Sequence, residues 1–382
     1  MKEQKLRVLM TGGGSGGHIY PLISVITELQ ILASQEGVNL EIRYLGVAGP
    51  YENLLRENGV RVQKILPSKL RRYFSLANIL DMPKFIISFF QALSKIFWFM
   101  PDVLFSKGGP GALAVVFAAR FYRIPIIVHE SDTIPGLTNM TTAKYAKAIA
   151  TSFPSTAEYF GGRETMLTGN PVRRYLFDEP LNQSKAKLFL GFDANLPLVL
   201  ILGGSQGAVR INDFILDNLP TLLQVTQVFH QTGRANYDSV IGEVEVIGRS
   251  LSAETKKRYK AIDYLEKDMR IALEAADLVI SRAGSGSIFE IAAFGKPSIL
   301  IPLPQGVSNA HQEQNAQEYA RAGAAAIIEE ANLLPNLFLK ELQNLLANPQ
   351  KLAAMAAAAK QFAKPEAALK LAQIIIRMRR QQ

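Results

Sequence analysis

Twice in this sequence a short apolar run passes straight into a glycine-rich turn and then into a helical pattern: LMTGGGSGGH at residues 9–18 and LILGGSQGA at residues 200–208. Few chain geometries accept that order. Glycines directly after a strand permit positive φ and close backbone approach, and the following helix turns its free amides toward the strand's carboxyl edge. Strands alternating with helices in this way form a parallel sheet with crossover connections. The first half supplies seven strand-like runs, LRVLMTGG, LEIRYLGV, VQKIL, DVLFSKGG, PIIVHES, AIATS and TMLTGN. The second half restarts the pattern with four, LPLVLILGG, TQVFHQTG, DLVISRAG and PSILIPL. A chain of 382 residues is too long for one such core and suits two. The expected fold class is therefore α/β, with two Rossmann-like, doubly wound parallel-sheet domains in tandem. The boundary is expected near GNPVRRYLFDEPLNQS, giving an N-terminal domain over 1–168 and a C-terminal domain over 169–354. The alanine-rich tail, about 355–382, is expected to be helical and to pack back on the N-terminal domain.

Composition narrows the chemistry. Cysteine is absent, which excludes disulfides, thiolate metal sites and cysteine nucleophiles together. The four histidines, His18, His129, His230 and His311, include no helical metal pair. A formal charge of +9 points to an anionic partner: nucleic acid, a phosphorylated substrate or an acidic membrane surface. No RNA-recognition pattern of interleaved aromatics and cations occurs, so nucleic acid is not expected. No run of 18 apolar residues is present, so no spanning helix is expected. The nearest approach, PKFIISFFQALSKIFWFMP at residues 83–101, holds the single Trp98 and is interrupted by Lys84, Gln91 and Lys95. Lys69, Arg71 and Arg72 precede it. Aromatics and cations on one helix suit an interfacial anchor on acidic lipid, or equally a buried crossover helix whose lysines snorkel.

Three turns are built to hold an anion. The first, at residues 11–18, matches G-x-G-x-x-G at Gly12, Gly14 and Gly17 and so raises a nicotinamide-dependent oxidoreductase. That reading needs an acid at the end of the second strand to hold a ribose, and here the strand ends Tyr44-Leu-Gly-Val47. No P-loop spacing is present either. Residues 203–207 repeat the turn, with Ser205 offering a hydroxyl to a phosphate. The third turn, RAGSGSIFE at 282–290, leads into a helix that Ser287 is expected to cap and that carries Glu290. Any one of these alone also suits a tight βα turn without a ligand; three in one chain favour anion binding.

Taken together, GGGSGGHIYP, HESDTIPGLTN, TGNPVR, GGSQGA, FHQTG and AGSGSIFEIAAFGKPSILIPLP followed by HQEQNA are far more specific. In their order and spacing the chain resembles the bacterial peptidoglycan N-acetylglucosaminyltransferases of glycosyltransferase family 28, from about residue 5 to 375. The resemblance implies a GT-B fold, two Rossmann-like domains facing each other across a cleft. It implies inverting transfer of GlcNAc from UDP-GlcNAc to the MurNAc 4-hydroxyl of undecaprenyl-diphosphate-linked MurNAc-pentapeptide, converting lipid I to lipid II. No cofactor is expected and no metal bridging the nucleotide, in keeping with the lack of a D-x-D motif. The family further implies a peripheral place on the cytoplasmic side of an anionic membrane and contacts with wall-synthesis and division proteins.

Site residues follow by matching motifs. Glu290 matches the carboxylate that accepts from the ribose hydroxyls, within a donor-binding stretch that includes Ser285, Gly286, Ser287, Ile288 and Phe289. Leu265 matches the residue whose backbone holds the uracil, and His311 and Gln312 match residues contacting the sugar hydroxyls. Ser205 and Arg173 match contacts on the diphosphate side, and Ser15, Gly16, Gly17 and Asp132 complete the donor set. Gly13, Gly14, Gly108 and Gly109 are the expected cradle for the acceptor diphosphate. His18 is the leading candidate for catalytic base because its intrinsic pKa lies near operating pH, with Glu130 as its rival and Asp132 more suited to binding. One departure stands out: after the fourth strand the family has an aromatic and a serine behind the glycine pair, where this chain reads Gly108-Gly-Pro-Gly-Ala-Leu113. The alternatives on this fold are a related glycolipid glycosyltransferase and a UDP-GlcNAc epimerase.

Overall fold

The computed structural model describes residues 5–67, 76–204, 207–266, 268–304 and 311–379. Ser205, Lys69, Arg71 and Arg72 lie outside the described residues. The chain divides into two compact units, Met1–Arg174 together with Lys364–Gln382, and Tyr175–Ala363.

The first unit is a parallel sheet of seven strands: β1 (Lys5–Thr11), β2 (Asn39–Gly46), β3 (Arg61–Lys64), β4 (Val103–Ser106), β5 (Ile126–Glu130), β6 (Ala148–Thr151) and β7 (Met166–Leu167). Their order is β3-β2-β1-β4-β5-β6-β7. All seven apolar runs of the first half become strands. Crossovers include α1 (Gly16–Gln35), α2 (Glu52–Glu57), α3 (Leu76–Phe99), α4 (Ala112–Phe121) and α5 (Leu137–Ala143). The stripe Ile19, Leu22, Val25, Ile26 and Leu29 turns one face of α1 onto β1 and β2. The helix Ala367–Arg379 sets Leu371, Ala372, Ile375 and Ile376 into this same core. Each large aliphatic chain so buried stabilises the unit by about 2 kcal/mol. On the other face of the sheet, Ala92, Ile96 and Phe99 of α3 pack with Val115 and Val116 of α4 over Leu104 and Val128.

The second unit is a parallel sheet of six strands: β8 (Leu198–Leu202), β9 (Gln227–Gln231), β10 (Tyr259–Ile262), β11 (Leu278–Ser281), β12 (Ser298–Leu300) and β13 (Ala325–Ile327). Their order is β10-β9-β8-β11-β12-β13. The four apolar runs of this half are the inner strands. The two it lacked, YKAI and AAI, are the two edges, where burial is partial and pairing along one side suffices. In each sheet the strand order reverses once, between β1 and β4 and between β8 and β11. Open α/β sheets bind ligands outside the carboxyl ends of the strands at such reversals. Each of the three glycine turns read from the sequence, and the pair at Gly108 and Gly109, follows one of these four strands.

Candidate functional site

In the first unit, β1 delivers Gly12–Ser15 and β4 delivers residues 107–111 to the same reversal point. The two turns touch backbone to backbone. Gly109 has φ +87, and a Cβ there would lie 2.8 Å from both Cα and N of Gly13. Glycine at 109 is thus required by Gly13 itself. Tyr44, buried at the end of β2, donates its hydroxyl to the Gly12 carbonyl at 2.7 Å and so pins the first turn. Gly46 and Val47, at the end of β2, supply no acid to hold a ribose as a dinucleotide fold would.

His18, half-buried in the first turn of α1, has Nδ1 2.7 Å from Ser15 Oγ. Its Nε2 faces the second turn, 3.1 Å from the position a Cβ on Gly109 would take. Burial lowers its pKa to about 4, Lys107 adds to that shift, and Asp132 opposes it. The imidazole is therefore neutral near pH 7 and less basic than the ordinary histidine value on which the sequence reading rested, and its tautomer decides which nitrogen is bare.

Glu130 ends β5 and turns back into its own loop. Its Oε1 accepts from the amides of Ser131 at 2.8 Å and Asp132 at 3.0 Å; its Oε2 accepts from the amide of Gly136 at 3.0 Å and from Asn139 Nδ2 at 2.9 Å. Burial pushes this carboxyl up to about 7, helped by Asp132, while the Asp132 amide, Asn139 and Lys107 pull it down. With four N–H donors on it, the group clamps the loop at 131–136 and presents Asp132, which is half-buried at the loop's start. Asn139 also reaches the second glycine turn: a Cβ on Gly108, at φ +74, would meet its Oδ1 at 2.4 Å. Arg173, 6% exposed after β7, places its guanidinium 5.1 Å from the Tyr20 ring.

In the second unit, the helix Ser285–Ala293 starts at the carboxyl end of β11. Its N-cap is Gly284, not Ser287, which lies two residues inside the first turn. The amides of Ser285, Gly286 and Ser287 occupy the turn in which helix geometry supplies no acceptor, so they remain available to an anion. Ile288 and Phe289 are turned into the core, at 0% and 1% exposed, and only their backbone faces the turn. Glu290 is half-buried on the same helix. Gln231, ending β9, donates to the Gly204 carbonyl at 3.0 Å and accepts from the Leu265 amide at 3.2 Å, tying the β8 turn to Leu265. His311 and Gln312 open the helix His311–Arg321, Gln312 accepting from the Leu303 amide at 3.1 Å. Asn315 of this helix donates to the Ala283 carbonyl at 3.2 Å and fixes the third turn from the other side.

Leu265, Ser285–Glu290, His311 and Gln312 thus gather along the carboxyl edge of the second sheet. Gly13, Gly14, Ser15, Gly16, Gly17, His18, Gly108, Gly109, Glu130, Asp132 and Arg173 belong to the first unit, most of them at its reversal point. Four residues that shape these sites, Tyr44, Lys107, Asn139 and Gln231, were not singled out from the sequence as site residues. Each acts through a contact at least 20 residues away, Asn139 through Gly108, with only its place at a strand end or beside a glycine turn as a signal.

The model of the glycosyltransferase family 28 N-terminal domain matches residues 8–151, and that of the family's C-terminal domain matches residues 198–371. A protein of Clostridium tetani named UDP-N-acetylglucosamine–N-acetylmuramyl-(pentapeptide) pyrophosphoryl-undecaprenol N-acetylglucosamine transferase is 34% identical over 348 residues, spanning 91% of this chain and 92% of that one. A Clostridium botulinum protein of the same name is 34% identical over 343 residues, or 90% and 91%. The crystal structure of Acinetobacter baumannii MurG is similar with a TM-score of 0.75 at 27% identity, covering 97% of this chain and 99% of that one. A Neisseria meningitidis UDP-GlcNAc 2-epimerase reaches a TM-score of 0.67 at 14% identity over 99% and 100%, a likeness of fold alone.

Proposed function

This chain belongs to glycosyltransferase family 28, and from that premise we infer its reaction: transfer of GlcNAc from UDP-GlcNAc to undecaprenyl-diphosphate-linked MurNAc-pentapeptide, lipid I to lipid II. The observation that carries the reading is the 34% identity to transferases of that name over about nine-tenths of both chains. Neither the epimerase nor an oxidoreductase has comparable support: the first shares only the fold, and the second lacks its ribose acid.

The donor lies on the second unit. Its uracil meets the Leu265 carbonyl, its ribose hydroxyls donate to Glu290, and its diphosphate faces the amides of Ser285, Gly286 and Ser287 and the Ser205 side. His311 and Gln312 take the sugar hydroxyls. The acceptor diphosphate lies on the first unit against Gly13, Gly14, Gly108 and Gly109, and Ser15, Gly16, Gly17, Asp132 and Arg173 are further residues assigned to the donor.

His18 is the base. Its Nε2 removes the proton of the MurNAc 4-hydroxyl as that oxygen attacks the anomeric carbon of GlcNAc. The bond to UDP breaks with inversion, and the diphosphate leaves with both electrons of that bond. Charge growing on the leaving group is met by oriented helix amides, which need no reorganisation as it develops. Glu130, with its four donors, holds the loop rather than the proton.

Membrane association is peripheral and rests on α3. Among the described residues no helix is long and apolar enough to cross a membrane. The face of α3 opposite its core side exposes Ile86, Ile87, Phe90, Phe97 and Trp98, and Phe121 of α4 continues it. Lys84 on α3 and Arg120 beside Phe121 supply charge for acidic headgroups on the cytoplasmic leaflet, where lipid I is held.

The test is GlcNAc transfer to a short-chain lipid I analogue, run with EDTA and with magnesium. Equal turnover in both is expected, since no bound metal is assigned to the leaving diphosphate. Tight UDP binding without transfer would leave the donor site standing and remove the acceptor assignment.

A further inference from the structure

A buried lysine stands behind the reversal point of the first sheet and belongs to none of the binding roles above. Lys107 follows β4 directly and is 3% exposed. Its amide donates to the Thr11 carbonyl at 2.9 Å, and its Cβ and the Cβ of His18 flank Gly12, at 3.4 and 3.7 Å from where a Gly12 side chain would begin. Its ammonium lies 2.6 Å from His129 Nδ1 and also bonds Ser131 Oγ.

The proton directions in this cluster are determined. His129 Nε2 sits 2.9 Å from the Gly169 carbonyl, which only accepts, so Nε2 carries the hydrogen. Burial holds His129 well below its usual pKa, so Nδ1 is bare and accepts from Lys107. Ser131 donates to Asn170 Oδ1 at 3.1 Å, so its oxygen likewise accepts from Lys107. One ammonium therefore starts two donor chains, Lys107 to His129 to Gly169 and Lys107 to Ser131 to Asn170. These join the turn after β4, the loop after β5 that carries Asp132, and the segment after β7 that carries Arg173.

We propose that Lys107 is a positioning residue of the transfer reaction, holding the acceptor-side glycine turn, the Asp132 loop and the Arg173 segment in one arrangement and acting by its charge on His18. The proposal rests on the reading that His18 takes the proton. Among the described residues, the charged groups that act on His18 are Lys107 and Asp132; those that act on Lys107 are Glu130 and Asp132, with His129 in contact. Lys107 is the only cation of that set. Removing it takes away the charge that helps to lower the His18 pKa and so makes His18 easier to protonate.

Lys107→Met keeps the length and removes the charge. Relative to wild type it should lower kcat roughly 10- to 100-fold and raise the UDP-GlcNAc KM as well, since the glycine turn, the Asp132 loop and the Arg173 segment shift together. The acid limb of its kcat–pH profile should move to higher pH, and the His18 resonance, one of four histidines to assign, should titrate at higher pH too. Lys107→Arg should restore the His18 titration more than the rate. A folded Lys107→Met protein with an unmoved profile and an unmoved His18 midpoint would overturn the proposal. If that variant does not fold, nitrogen NMR of wild-type His129 decides: an Nε2–H tautomer supports the donor chain, and an Nδ1–H tautomer refutes it. Wild-type protein that transfers no GlcNAc would sink the family reaction, while the two NMR measurements would still judge Lys107.

Discussion

At His18 the direction of one proton separates a base from a bystander. The Nδ1 contact with Ser15 runs either way by distance alone. If Nδ1–H donates to Ser15 Oγ, Nε2 is bare and faces the second glycine turn; in the other tautomer Nε2 carries the hydrogen and takes nothing. We expect the first, so nitrogen NMR should show an Nδ1–H tautomer that Ser15→Ala weakens. His18→Ala should then lower kcat by about 10²–10⁴ while UDP affinity stays near wild type. Equal losses in both would make the residue a support of the turn. Glu290→Ala should weaken UDP binding roughly 10- to 100-fold by calorimetry, the worth of a hydrogen bond to a carboxylate; unchanged affinity would remove the ribose assignment. At this scale His18 and Glu290 were legible because their motifs sit on strand–turn–helix units whose geometry is generic. Lys107 and Tyr44 were not. What makes them matter is a neighbour brought close only by sheet order, such as Tyr44 across from Gly12 through the pairing of β1 and β2.

Among the elements, α3 carries the ambiguity that its sequence left open. A crossover helix and an interfacial helix share the same apolar content, and only the surroundings tell them apart. Ser88, Ala92, Ile96 and Phe99 recur at helical spacing on the buried side, and Phe89 and Leu93 lean on the same core. Phe90 and Trp98, at 63% and 79% exposed, are left on the other side. The core side is that of a crossover helix, and the exposed side is the one we propose for the lipid surface. Exposed aromatics in such number, beside cations, mark an interaction surface rather than packing. Replacing Phe90, Phe97 and Trp98 with Ser should abolish sedimentation with acidic vesicles and leave the melting temperature nearly unchanged, because the core side is untouched. Retained binding would place the anchor elsewhere. The strands show the complementary limit. Inner strands are buried on both faces and announce themselves as apolar runs, whereas β10 and β13 are edges whose residues need not be apolar.

For the whole molecule, the buried histidines set the response to acid. Burial holds His230 at about 3 and His129 well below its usual value, and His18 at about 4. The unfolded chain protonates these groups near pH 6.5 while the folded one does not. Stability supplied by the neutral rings is therefore complete above pH 6.5 and lost as pH falls toward the folded values. Glu130 works the other way: its folded pKa near 7 exceeds the unfolded one, so its contribution grows as pH falls from 7 to 4.5. It offsets about one histidine, and His18, half-exposed, counts for less than the buried pair. His129 and Glu130, which oppose each other, are neighbours at the end of β5 in the first unit, whereas His230 stands in the second unit. There its ring bonds Tyr259 Oη at 3.0 Å and Asn212 Oδ1 at 3.1 Å. Between pH 6.5 and 4.5 His230 alone should cost the second unit about 2 kcal/mol. Melting temperature should accordingly fall steadily from pH 7 to 5. His230→Leu should melt lower at pH 7, by the loss of its two hydrogen bonds, but with a flatter dependence on pH. A variant with the wild-type slope would show that His230 is not the group through which acid unfolds the second unit.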